Sequence, residues 1–221
     1  MKAAFIEQYG GPEVLKYGDL PDPVAASDEV VVDVFAASVN GADWKVRKQP
    51  KFPFALGRDF SGVGGAGGVA SFAIQLAKHI GARMITTASA ANHEYVRGLG
   101  ADEIIDYNAK DFTQVVTGCD AVFDTVGGDV AQRSFAVVKP GGRAAFIACG
   151  PQAPKPNRSD VTSLRPPAGR ARRHLERIAH LFQAGAIRPP EIKLYRPSEA
   201  ADAHRLSESR HFRGKLVFQV R

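Results

Sequence analysis

At 221 residues the chain is long enough to bury one large core or two smaller ones, and its 44% hydrophobic and 24% charged content is that of an ordinary globular protein. Two cysteines, Cys119 and Cys149, exclude a disulfide framework and a paired-cysteine zinc motif and point to a reducing compartment. The net charge of +6 favours a polyanionic partner, either nucleic acid or a phosphorylated cofactor, without choosing between them.

The start, Met1-Lys2-Ala3-Ala4-Phe5-Ile6-Glu7, reaches an acid before a long apolar run forms. No run of about 18 apolar residues follows, so a soluble cytoplasmic protein is expected. Alternating polarity predicts strands over 2–7, 14–20 and 29–38, parted by the turn signals Gly10-Gly11-Pro12 and Pro21-Asp22-Pro23. After Gly57 the character changes. The cluster Gly64-Gly65-Ala66-Gly67-Gly68 opens into Val69-Ala70-Ser71-Phe72-Ala73-Ile74-Gln75-Leu76-Ala77, a helical apolar face closed by Gly81. Apolar runs predict buried strands over 82–87, 103–105, 120–124 and 143–149, with helices over 92–99 and 130–138 between them. Such alternation implies a parallel sheet covered on both faces. The stretch 151–167, rich in Pro, Arg and Ser, is expected on the surface with one short strand near 160–164. Helices over 170–184 and 198–209 and a strand over 215–220 complete the chain.

Gly64, Gly67 and Ala70 are spaced three apart. Glycines so placed let the backbone turn sharply and approach a pyrophosphate, and the small residue then packs where helix meets strand. The amides at the helix start, with the positive end of its dipole, would face the phosphates. A flexible glycine linker is the plainer alternative, but linkers rarely open into so apolar a helix. An acid at the end of the next strand would bind the ribose hydroxyls of NAD and repel an added phosphate. The chain instead reads Thr86-Thr87-Ala88-Ser89, so NADPH is favoured, with Ser89 and Tyr107 as candidates to meet the 2′-phosphate. Ser89 would equally serve as a helix cap. Val126-Gly127-Gly128 and Ala148-Cys149-Gly150 follow the next two strands, at the carboxyl ends where open α/β sheets bind ligands.

Several words in order then resemble the quinone oxidoreductase branch of the medium-chain dehydrogenase/reductase superfamily, related to zeta-crystallin. They are Tyr9-Gly10-Gly11-Pro12-Glu13-Val14-Leu15, Ala37-Ser38-Val39-Asn40, Gly57-Arg58-Asp59-Phe60-Ser61-Gly62, Gly67-Gly68-Val69, Leu99-Gly100-Ala101-Asp102, Phe123-Asp124-Thr125-Val126-Gly127-Gly128 and Arg213-Gly214-Lys215. The resemblance implies an α/β fold: a Rossmann-type parallel sheet domain over 64–188, with a truncated GroES-like β-barrel domain from 1–63 and 189–221. It implies a cofactor site of Gly64, Gly67, Gly68, Val69, Ala70, Ser89, Tyr107, Val126, Gly127, Ala148, Gly150 and Arg213 for NADPH. It further implies a homodimer that passes a hydride to a quinone or an α,β-unsaturated carbonyl, with Asn40 and Asp43 near the nicotinamide and Lys45 as an oxyanion partner. By composition alone Asn40 would also suit a turn, and Asp43 with Lys45 a solvated pair. Zinc enzymes of the superfamily place a Cys at Asn40 and Gly-His-Glu at Gly57-Arg58-Asp59, so no catalytic zinc is expected.

Comparison with the family also implies that roughly 90 residues are lacking between Val63 and Gly64, a large part of a domain of ordinary size. Asp59-Phe60-Ser61-Gly62-Val63 would then have to supply the central strand before the glycine loop. Two alternatives follow. One is a deletion product that is catalytically impaired and at most binds nucleotide. The other is RNA binding through the basic segment 155–177, with Lys155, Arg158, Arg165, Arg170, Arg172, Arg173 and Arg177. That segment has no interleaved aromatics to stack bases and reads better as a solvated face.

Overall fold

The structure, a computed structural model, describes residues 1–27, 30–40, 43, 54–55, 67–150, 152–167, 169, 171–209 and 212–220. In chain order its strands are β1 (Lys2–Ile6), β2 (Lys16–Asp19), β3 (Ala36–Val39), β4 (Phe54–Ala55), β5 (Ile85–Thr87), β6 (Glu103–Ile105), β7 (Cys119–Asp124), β8 (Val138–Phe146), β9 (Thr162–Leu164), β10 (Ile192–Tyr195) and β11 (Lys215–Gln219). The helices are α1 (Gly68–His79), α2 (His93–Gly98), α3 (Phe112–Val115), α4 (Gly128–Ser134), α5 (Arg172–Gln183) and α6 (Ala200–Ser209). The chain divides into two compact units, one of Met1–Ser61 with Glu191–Arg221 and one of Gly62–Pro190.

In the first unit β1 lies between β2 and β4, antiparallel to both, and β11 lies between β10, parallel to it, and β3, antiparallel. Val39, Ala203 and Leu216 are buried between the second sheet and α6, with Tyr195, Leu206, Phe212 and Phe218 packed around them. The strand expected over 29–38 is confined to Ala36–Val39. Val30, Val31, Val32 and Val34 are exposed, because an alternating pattern makes a strand only where a neighbour accepts its hydrogen bonds, and β11 reaches no further than Phe35. Strand β10, which no sequence pattern predicts, has four residues and is pinned by its pairing to β11.

Among its described residues the second unit begins with α1, whose apolar stripe buries Ala70 and Ile74. Ile74 joins Ala88, Val96, Leu99 and Ala101 in one core. Asp102 ties this βαβ unit together by accepting from Lys78 Nζ (2.9 Å) and Met84 N (2.7 Å). A second core gathers Ala131, Phe135, Val138, Ala144, Phe146 and Val161, with the Phe135 and Phe146 rings edge to face at 5.2 Å. Buried Gln75 of α1 grips the backbone of Arg188, donating to its carbonyl (3.2 Å) and accepting its N–H (2.8 Å).

All the strand pairs here are parallel, β5 with β6 and β8 between β7 and β9, which gives the Rossmann-like α/β arrangement. Three expectations need correction. Among the described residues no strand joins β5 to β7, so the sheet is in two pieces; residues 59–63, expected to supply the central strand, lie outside the described residues. Among the described residues the β7–β9 piece is also not covered on both faces. Val122 of β7 packs toward the core that holds Ala131 of α4, while Phe123 points the other way and is 44% exposed. Finally, the helix expected to 138 ends at Ser134, followed by a 3-10 turn over Phe135–Val137, and the strand expected over 143–149 is β8, which starts earlier and stops at Phe146. The shift arises because Val138 pairs with Cys119, drawing the Pro140-Gly141-Gly142 stretch into the strand. Helix α5 forms where expected but buries no residue; Leu175, Ile178 and Phe182 line one exposed face.

Candidate functional site

Helix α1 starts from Gly67, which is extended (φ −76°, ψ 162°) and lends no side chain to the first-turn amides. An uncapped first turn presents its N–H groups with the positive end of the helix dipole, which suits an anionic group. Within the helix, Ser71 Oγ donates to the carbonyl of Gly68 (2.9 Å) rather than accepting from those amides. Gly67, Gly68 and Val69 are half-buried, and Ala70 is buried, as a small residue at this crossing should be. Gly64 lies outside the described residues.

At the end of β5, half-buried Ser89 accepts a hydrogen bond at Oγ from Asn92 Nδ2 (3.1 Å). It makes no side-chain bond to a backbone amide, so the capping role considered for it is replaced by a side-chain contact. Tyr107 sits in the turn after β6 and is 55% exposed.

The loops after β7 and β8 meet through Gly127, whose backbone (φ 78°, ψ −166°) is open only to glycine. A β-carbon there would fall 2.4 Å from the carbonyl oxygen of Ala148. Val126, Gly127 and Ala148 are therefore brought together, whereas Gly150 lies beyond, its carbonyl accepting from Arg165 Nε (2.7 Å). Buried Asp124 builds the turn: Oδ1 accepts from Val126 N (2.6 Å) and Gly127 N (2.7 Å), and its carbonyl accepts from Ile147 N (3.1 Å). Its second carboxylate oxygen is buried and has no hydrogen-bond partner among the described residues. The family resemblance alone gives Asp124 no role; an Asp two and three residues before amides of a glycine turn is the signal that marks it.

In the first unit, Asn40 and Asp43 are both buried and bound to each other. Asn40 N donates to Asp43 Oδ2 (2.8 Å) and Asp43 N donates to the carbonyl of Asn40 (3.0 Å). Asp43 is thus no member of a solvated pair. Lys45 lies outside the described residues. The side-chain oxygen of Asn40 accepts a hydrogen bond from Lys215 Nζ, a contact with no local signal in the sequence. Arg213, also in this unit, pairs with Glu191 (3.3 Å). Cys119 is no candidate nucleophile, since burial, reinforced by Asp120, holds its thiol above the ordinary 9.0.

A parallel sheet with a glycine-opened helix and glycine turns at its carboxyl ends has the architecture of a nucleotide-binding α/β domain. Comparison with known proteins narrows the class. A family profile described as zinc-binding dehydrogenase matches residues 99–218. The NADPH-dependent alkenal/one oxidoreductase, chloroplastic, of Arabidopsis thaliana is 34% identical over 168 residues, covering 74% of this chain and 41% of that protein. The 2-methylene-furan-3-one reductase of Solanum lycopersicum is 37% identical over 115 residues, covering 51% and 29% respectively. The solved quinone oxidoreductase of Coxiella burnetii superposes with a TM-score of 0.86 at 28% identity, covering 100% of this chain and 99% of that one. The chain belongs to the zinc-binding dehydrogenase family, within the medium-chain dehydrogenase/reductase superfamily. It spans less than half the length of these two curated relatives.

The residues do not fit the zinc of the family's description. Asn40 offers an amide oxygen where a thiolate would be needed, and that oxygen already faces the Lys215 ammonium, whose charge would repel a cation. Groups of three or more His, Cys, Asp or Glu suited to a metal are absent among the described residues. Nor is any helix among them long and apolar enough to cross a membrane.

Proposed function

We propose that this protein is an NADPH-dependent oxidoreductase that reduces a quinone or an α,β-unsaturated carbonyl without metal. The observation that carries the reading is the uncapped first turn of α1, at the head of a parallel βαβ unit with no carboxylate at the end of β5. The names of the relatives support the acceptor class, and the Arabidopsis relative's name supports the cofactor. The residues present suit a dinucleotide. Amides of Gly68, Val69 and Ala70 would hold its phosphates, Ser89 and Tyr107 would lie toward the 2′-phosphate, and Val126, Gly127, Ala148 and Gly150 would line its reduced end. The nicotinamide, when bound, supplies the hydride. Asn40, with Asp43 fixing its backbone, would donate to the oxygen on which negative charge develops, and Lys45 and Arg213 complete the proposed set. A cytoplasmic homodimer is part of the same proposal; the uncovered apolar face of α5 supports self-association.

The second reading is a catalytically impaired chain that at most binds nucleotide. RNA binding has less support. Of the basic segment, Arg158 is spent on Asp160 and the carbonyl of Val138, Arg165 on Gly150, and Arg172 on Glu176. The test is to follow NADPH oxidation at 340 nm with a simple benzoquinone and a simple enone, with and without a chelator. Chelator-insensitive turnover is expected. Binding without oxidation would replace the first reading by the second.

A further inference from the structure

We infer that Lys215 is a positioning residue for Asn40, fixing the flip of its side-chain amide and strengthening the N–H donors that amide presents. Strands β3 and β11 run antiparallel with Val39 opposite Leu216 and Ser38 opposite Val217, so the register places Asn40 opposite Lys215. The approach of Lys215 is set by its neighbour. Gly214 has φ +77°, and a β-carbon there would fall 2.0 Å from the carbonyl oxygen of Glu191, which also accepts from Lys215 N (2.8 Å). With the backbone so held, the half-buried Lys215 side chain donates to Asn40 Oδ1.

An ammonium can only donate, so the amide must turn its oxygen toward Lys215 and its NH2 away. The NH2 faces Ser38, with Nδ2 at 3.4 Å from its carbonyl and 3.3 Å from Oγ. A cation on the oxygen draws electron density out of the amide, which makes the N–H groups stronger donors, and the exclusion of water enlarges the effect because Asn40 is only 2% exposed. The backbone of Asn40 is fixed independently through Asp43. The two anchors thus divide the work: Asp43 places the residue, and Lys215 orients and polarises its head. The consequence for hydride transfer rests on the proposal that Asn40 donates to the acceptor oxygen.

The test uses the full chain with Lys215→Met and Lys215→Arg, read by the side-chain amide resonances of Asn40, which Asn40→Asp identifies by their loss. Lys215→Met should move that resonance pair clearly, and Lys215→Arg should leave it near its wild-type position. In turnover with NADPH and a benzoquinone, Lys215→Met should lower kcat about tenfold or more, with KM and the NADPH Kd within about twofold, and Lys215→Arg should restore most of the rate. A residue that served stability alone would lower the melting temperature without moving kcat of the folded fraction. An unmoved Asn40 resonance in Lys215→Met, or an unchanged kcat beside a moved resonance, would overturn the inference. Should Lys215→Met fail to fold, Lys215→Gln, neutral and hydrogen-bonding, carries the same expectations in weaker form. If the wild-type protein binds NADPH but does not turn over, the catalytic proposal fails while the resonances still decide what Lys215 does to Asn40.

Discussion

Replacing Gly127 by alanine asks whether the contact between the two loops is as tight as its geometry states. Two costs add. The backbone at φ 78° and ψ −166° is nearly closed to any residue with a β-carbon, a strain of about 1–3 kcal/mol. The new methyl would also stand 2.4 Å from the Ala148 oxygen and 3.1 Å from its carbonyl carbon. Both are backbone atoms, so the β8 loop has to move rather than a side chain rotate, at a further cost of about 1–3 kcal/mol by analogy with overpacked cores. The sum, roughly 2–6 kcal/mol, is a large share of a domain's stability of about 5–15 kcal/mol. At a urea slope of about 2 kcal/mol/M it corresponds to a fall of roughly 1–3 M in midpoint, read by circular dichroism. Gly128 supplies the control: it too has positive φ (60°), but a β-carbon there meets nothing within 4 Å. Gly128→Ala should therefore cost only about 1–2 kcal/mol. Equal midpoints for the two variants would refute the reasoning.

Asp102 is held below its ordinary 3.8, first by the Met84 N–H and then by the Lys78 ammonium. Because the folded value is lowered, its stabilisation is complete above the ordinary value and is lost as pH falls through the folded one. Asp102→Asn should melt below wild type near neutral pH, with the gap closing in acid; a gap that stays constant down to about pH 2 counts against the assignment. Gln75→Leu leaves both backbone groups of Arg188 without their partner and should cost about 1–3 kcal/mol in chemical denaturation, with a loss under about 0.5 contradicting the contact. On the proposed function, Ser89→Asp sets a carboxylate where the 2′-phosphate is expected. It should weaken NADPH at least about tenfold while sparing NADH, and equal effects on the two would remove Ser89 from the site.

Much of the second unit was legible because its signals are local. The apolar stripe of α1, the turn glycine at Gly81 and the apolar run of β7 each declare themselves within a dozen residues. What escaped depends on partners distant in sequence. Val30 to Val34 are rich in strand-forming valine, yet propensity does not supply a neighbouring edge. Ile192–Tyr195 carries only a weak pattern and becomes β10 through β11. The same holds at the candidate site. Gly127 is legible as a glycine at the carboxyl end of a strand, but the atom it approaches, the Ala148 carbonyl, belongs to the next strand's loop. Asn40 was named, whereas the cation that orients it lies 175 positions away and is reached only through the β3–β11 register.

The central claim is that the first turn of α1 grips the phosphates of a nicotinamide nucleotide. Its most direct test is NADPH titration of uniformly 15N-labelled protein, following the backbone amides. Saturable shifts of Gly68, Val69 and Ala70, with those of Val126 and Gly127 moving at the same midpoint, are the predicted result. Absence of saturable binding, or shifts confined to the basic residues of 155–177, would contradict it.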